Sequence, residues 1–245
     1  MQSHRRIAIA VGVLYIIGTL SGILSVLVST PIMDAPDFLS RIAGNEHGII
    51  LGALFVLSMG LSLALVPVVA FPILKKVNEF LALGYLVFRG ALETFTYMAM
   101  AVCWLLLLPL GQFYRQGKLD ESTAYALGNI LYEDKQIFSI GTIVFTLGAL
   151  MFCTILYRSK LIPRWISAWG LAAAGLYLGT CIMGMFGLVE FNMTSDSTGT
   201  MQTIVDVASG SLALQEMVMA VWLIVKGFDP SPVISRPARQ VLDTE

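Results

Sequence analysis

The chain has 245 residues, of which 57% are hydrophobic and 13% charged, with a formal net charge of −1. Soluble domains carry about 25% charged residues, and the mean hydropathy here is +0.80, so an ordinary water-soluble fold is excluded. The balanced charge without a basic tract also excludes a nucleic-acid-binding surface.

Apolar runs of membrane-crossing length recur at 7–29, 48–73, 80–109, 136–157, 165–189 and 204–225. A helix needs about 20 such residues to cross the hydrocarbon core. The runs are long and continuous rather than short and alternating, which excludes a barrel. Helices also satisfy their own backbone hydrogen bonds in lipid. The predicted fold is therefore all-α: a polytopic transmembrane bundle of six spans over residues 1–226. Residues 227–245, with three prolines and no periodic face, are expected to form a flexible cytoplasmic tail.

The first run opens "SHRRIAIAVGVLYIIG". Signal peptides have apolar cores of about 7–15 residues, and this run outlasts that, so it is predicted to be a retained span. Between runs one and two, "MDAPDFLSRIAGNEHG" carries a helix-start signal at Asp34 and Pro36, followed by Phe38, Leu39 and Ile42 on one face. Between runs three and four, "KLDESTAYALGNILYEDKQ" offers Asp120 or Ser122 as a cap and puts Ala124, Leu127 and Leu131 on one face. Both predict short amphipathic helices on the outer membrane surface, either covering a mouth or packing on the bundle.

Arg5, Arg6, Lys75, Lys76, Arg158, Lys160, Arg164, Lys226, Arg236 and Arg239 fall on one side of the predicted bundle, against four basic residues on the other. Positive loops stay inside, so both termini are expected in the cytoplasm and the protein in the cytoplasmic membrane. Trp165, Trp169 and Trp222 fall near the inner boundary and Trp104 near the outer one, as an aromatic belt would place them. Cys103, Cys153 and Cys181 lie in three different spans with no CxxC, which predicts packing thiols rather than disulfides or redox chemistry. Small residues at helical spacing (Gly18, Gly22, Ser25 and Ser29; Gly48 and Gly52; Gly175 and Gly179) predict close helix contacts.

Two opposite charges interrupt the third run, in "LVFRGALETFTYMAM". At 1.5 Å per residue, Arg89 lies about 14 Å from the cytoplasmic start of its span, and Glu216 about 14 Å from the cytoplasmic end of span six. Glu93 is one turn from Arg89 on the same face. A bare charge at that depth costs at least ~2.5–3.5 kcal/mol, whereas a paired and hydrogen-bonded one can be offset. Spans three and six are therefore predicted to touch, with Arg89 between Glu93 and Glu216. Gln215, Thr96 and Tyr97 are candidates for the remaining hydrogen bonds. One arginine with two carboxylates leaves a formal surplus of one negative charge, suited to a proton or a cationic ligand.

A second polar set gathers near the outer boundary: Asn45, Glu46, His47, Asp134 and Asp206. It is either a metal or head-group site or a set of solvated helix ends. With only His4 and His47 in the chain, bis-histidine haem and histidine-rich zinc sites are not expected. HExxH, P-loop and GxSxG patterns are missing from the sequence, so no catalytic residue, metal or cofactor is assigned.

Four stretches carry a family resemblance: "RIAGNEHGIILGALF" (41–55), "LALGYLVFRGALETFTYM" (81–98), "LYRSKLIPRWISAWGLAAA" (156–174) and "LALQEMVMAVWLIVKGF" (212–228). In these segments and in their order, over about residues 6 to 228, the chain resembles the bacterial membrane-protein family catalogued as domain of unknown function 4386. Arg89, Glu93, Gln215 and Glu216 match its polar positions. The resemblance implies the same helical fold and brings no activity, substrate or cofactor. Three functions stay open: binding or transport of a small molecule or ion at the Arg–Glu–Glu cluster, a scaffold or sensor subunit in which the charges are a clamp, and an intramembrane enzyme.

Overall fold

The computed structural model describes residues 2–133, 135–187 and 200–229. Among these residues there are helices and no strands. In chain order they are α1 (Gln2–Met33), α2 (Phe38–Gly44), α3 (Glu46–Leu74), α4 (Glu79–Tyr85), a π-helical segment (Leu86–Leu92), α5 (Glu93–Arg115), α6 (Glu121–Glu133), α7 (Lys135–Ser159), α8 (Arg164–Met185) and α9 (Thr200–Val225). Six stretches are long and apolar enough to cross a membrane: His4–Met33, Glu46–Leu74, Glu79–Arg115, Ser139–Ser159, Arg164–Met185 and Thr203–Val225. The third joins α4, the π-helical segment and α5 into one span, and runs well past the expected 80–109. The expected tail lies outside the described residues beyond Asp229.

The spans close into a ring in chain order. α1 packs on α3, α3 on α5, the third span on α7, α7 on α8, α8 on α9, and α9 back on α1. Spans three and six thus lie on opposite sides of the ring, and the expected contact between them is made across its interior by the Arg89–Glu216 pair. Close approach of α1 and α3 comes from small residues, as lipid exposure requires. A Cβ on Gly18 would lie 2.7 Å from Leu63, and one on Gly52 3.3 Å from both Ser29 and Trp104. By contrast, among the described residues a Cβ on Gly175 or Gly179 would meet nothing within 4 Å, so no close helix approach is made at this pair there. Trp104 is buried in the core rather than set in a belt.

Three apolar cores fill the ring. At the end where α1 begins and α9 finishes, one core draws on all six spans, including Val11, Val66, Ala82, Ile155, Ile166 and Leu223. Toward the other end it divides. Spans one to three, with α2 and α6, share a core around Ile42, Val56, Trp104 and Leu107. Spans four to six share a separate one around Ala149, Ala174, Cys181 and Leu212.

α2 and α6 belong to the first of these two cores: Phe38, Leu39 and Ile42 of α2 and Ala124 of α6 are buried there. The apolar face of α2 is taken up by the bundle, whereas α6 packs through Ala124 and leaves Leu127 and Ile130 exposed. Asp120 caps α6, its carboxylate accepting from the Thr123 N–H at 3.0 Å and the Ser122 hydroxyl at 2.8 Å. α2 starts at Phe38, later than the Asp34–Pro36 signal, and Asp37 pairs with Arg41 at 2.8 Å instead of capping.

The ring is fastened at the end of α9. Arg5 donates through Nη1 to the Leu223 carbonyl at 3.2 Å, and through Nη2 to those of Ile224 at 2.6 Å and Val225 at 3.1 Å. The last turn of a helix leaves its carbonyls without intrahelical partners, and a cation there also opposes the helix dipole. Beyond it, Gly227 takes φ +82°, a left-handed value that glycine adopts without a Cβ penalty. This turn lets Phe228 bury in the shared core and Asp229 donate its N–H to the Leu161 carbonyl at 2.9 Å.

Candidate functional site

The third span changes its winding at the charges. The Glu93 N–H bonds to the Phe88 carbonyl, five residues back, and Leu86–Leu92 is π-helical. Such bulges insert one residue into a helix and concentrate at functional sites. Threonines take up carbonyls around it: Thr94 donates to Gly90 O at 2.9 Å and Thr96 to Glu93 O at 2.7 Å. On the facing helix Gly148 packs against this turn, where a Cβ would stand in ordinary contact at 3.4 Å from the Arg89 nitrogen. The local result is a buried Arg89 (2% exposed) directed into the ring.

Arg89 holds both carboxylates. Its Nη1 donates to Glu93 Oε1 and Oε2, each at 3.1 Å, and its Nη2 to Glu216 Oε1 at 3.1 Å. Glu93 is 1% exposed and the Glu216 side chain 13%, so only Glu216 keeps appreciable open surface. Spans three and six are therefore linked across the ring interior by the Arg89–Glu216 pair. Tyr97 adds a bond from its hydroxyl to Glu93 Oε1 at 3.0 Å. Gly60 of α3 accommodates the Tyr97 side chain, where a Cβ would come within 3.0 Å.

The other two proposed partners are turned elsewhere. Gln215 donates through Nε2 to the Ile166 carbonyl at 3.1 Å, tying α9 to α8, and Thr96 serves its own helix.

Aromatic groups that the sequence reading passed over complete the surroundings. The guanidinium lies 4.8 Å from the Phe145 ring centre and 5.5 Å from that of Tyr15, within cation–π range. Tyr15 and Tyr85 share a hydrogen bond at 3.0 Å, and Tyr85 stacks on Phe152 at 4.5 Å. Tyr15 and Tyr85 could have been noticed as phenols at mid-span depth in aliphatic runs, since a buried hydroxyl demands a partner. A cavity of about 10 Å³ adjoins the cluster, lined by Tyr15, Tyr85, Arg89, Cys153, Gln215 and Glu216 among others. That is room for a single water.

The outer set is scattered. Glu46 Oε1 accepts from Gln112 Nε2 at 2.9 Å on the surface, and Asn45 bonds back to the Arg41 carbonyl at 2.9 Å. His47 is exposed, Asp206 is exposed on α9, and Asp134 lies outside the described residues. Among the described residues no three His, Cys, Asp or Glu side chains gather as a metal would require.

Comparison with known proteins finds no match among curated proteins or among solved structures. A family model described as Domain of unknown function (DUF4386) matches residues 10–227, a stretch that includes all six spans apart from the first turns of α1 and carries Arg89, Glu93 and Glu216. The chain belongs to that family.

Proposed function

We propose that this protein binds, and carries across the bacterial cytoplasmic membrane, a small cation or cationic small molecule at the Arg89–Glu93–Glu216 cluster, with both termini in the cytoplasm. One observation carries the reading: the Arg89–Glu216 pair joins span three to span six beside the region where one shared core gives way to two three-span cores. Sites between two helical units near mid-membrane suit alternating exposure of a ligand. The cluster holds two carboxylates to one guanidinium, so a cation restores neutrality. The part-exposed Glu216 is the carboxylate that would meet it. The basic residues at the end where α1 begins supply the orientation.

A second reading is favoured by the cavity. With space for one water only, the cluster as folded here excludes a larger ligand, and the charges would act as a clamp choosing which spans assemble. Protein in lipid nanodiscs separates the two. Thermal stability is measured against sodium, potassium, ammonium and a series of alkylamines, for wild type and Glu216→Gln. A saturable rise in melting temperature with one cation, lost in a folded Glu216→Gln, supports binding. No shift with any of them leaves the clamp.

A further inference from the structure

We infer that the cavity beside Arg89 is a binding site for one neutral water molecule, which completes the hydrogen bonding of the ion cluster and connects Glu216 to the Tyr15–Tyr85 pair. The inference is independent of the ligand reading above and rests on the hydrogen-bonding capacity around the cavity. Arg89 Nε is buried and has no hydrogen-bond partner. Five guanidinium N–H groups are obligate donors, and a buried unmet donor is costly. Tyr15 and Tyr85 have two hydroxyl protons but one bond between them, so one O–H is still free to donate. On the acceptor side, Arg89 reaches only Oε1 of Glu216, and Gln215 is held through its Nε2, leaving Glu216 Oε2 and Gln215 Oε1 open.

These five residues line one cavity. Two donors and two acceptors around a water-sized space match the four bonds a water can make. Water would accept from Arg89 Nε and a tyrosine hydroxyl, and donate to Glu216 Oε2 and Gln215 Oε1. A larger molecule does not fit in about 10 Å³. A dry void is disfavoured because it would leave the buried Arg89 Nε–H without an acceptor. Through that water, spans one, three and six would share a continuous hydrogen-bonded chain.

The test is a map of the nanodisc-embedded protein at a resolution that shows ordered water, together with the stability of Ala149→Val, which extends a side chain lining the cavity. A peak within hydrogen-bonding distance of Arg89 Nε and a tyrosine hydroxyl is expected, and Ala149→Val should lose that peak and melt at lower temperature. A map that resolves other buried waters but none here would overturn the inference. So would an Ala149→Val protein that melts higher than wild type, because filling a dry void stabilises.

Discussion

Arg89 and Glu216 meet at 3.1 Å although their helices face each other across the ring. Each charge has left lipid and water for a site where its stability depends on the other. Breaking a buried pair by removing one partner costs ~3–5 kcal/mol, more than the intact pair contributes, because the survivor stays buried and unmatched. Arg89→Ala should therefore lose stability on that scale. Adding Glu216→Gln should recover part of the loss, since one of the two uncompensated carboxylates is then gone. Denaturation of both single variants and the double variant in detergent measures the coupling, and strict additivity would show that the pair is not coupled.

Tyr97 and Gly60 test the packing behind the cluster. A Cβ on Gly60 would sit 3.0 Å from the Tyr97 Cβ, so Gly60→Ala should push the tyrosine away from Glu93 and cost ~1–3 kcal/mol by overpacking. Tyr97→Phe keeps the shape and removes the bond to Glu93, worth about 1 kcal/mol or less in a membrane interior. If Gly60→Ala proved the milder of the two, the proposed crowding would be wrong.

Gly12 and Gly175 should behave oppositely. A Cβ on Gly12 would lie 2.6 Å from the Ala220 carbonyl oxygen, a backbone atom, whereas one on Gly175 meets nothing within 4 Å. Gly12→Ala should force α1 and α9 apart and lower the melting temperature sharply. Gly175→Ala should be neutral or mildly stabilising, since alanine is the better helix former by about 1 kcal/mol. Melting curves of the two variants side by side decide it.

Arg5 holds the last turn of α9 through three carbonyls. Arg5→Ala should cost about 1–2 kcal/mol and raise hydrogen exchange locally at Lys226–Asp229, while exchange near Arg89 stays unchanged. Arg5→Lys should recover the charge but not the three-way bond. Uniform exchange across the chain would contradict a local clamp.

The α6 cap gives a pH dependence. The Thr123 N–H and the Ser122 hydroxyl hold the Asp120 carboxyl at about 2, below its usual 3.8. A carboxyl depressed by folding contributes stability above its unfolded pKa and loses it as pH falls through the folded one. The α6 N-terminus should therefore loosen between about pH 4 and pH 2, and Asp120→Asn should flatten that dependence. Exchange rates of the Ser122 and Thr123 amides across this range measure it.

Apolar runs long enough to cross hydrocarbon determined six helices, because lipid offers the backbone no other partner and the signal is local. The pairing of Arg89 with Glu93 was legible for the same reason: four residues on a helix are neighbours whatever surrounds them. Matching insertion depths also led from Arg89 to Glu216, since an isolated charge in lipid must find a partner. What the sequence could not decide was how that partner is reached. Spans three and six lie on opposite sides of a ring, and only the assembled bundle shows that the arginine crosses the interior instead of joining packed helices. The π-helical turn at Leu86–Leu92, the Tyr15–Tyr85 bond and the turn of Gln215 toward Ile166 are tertiary in the same sense. Each depends on which atoms other spans bring within 3–4 Å, and hydrophobic periodicity along one strand of sequence holds no information at that distance.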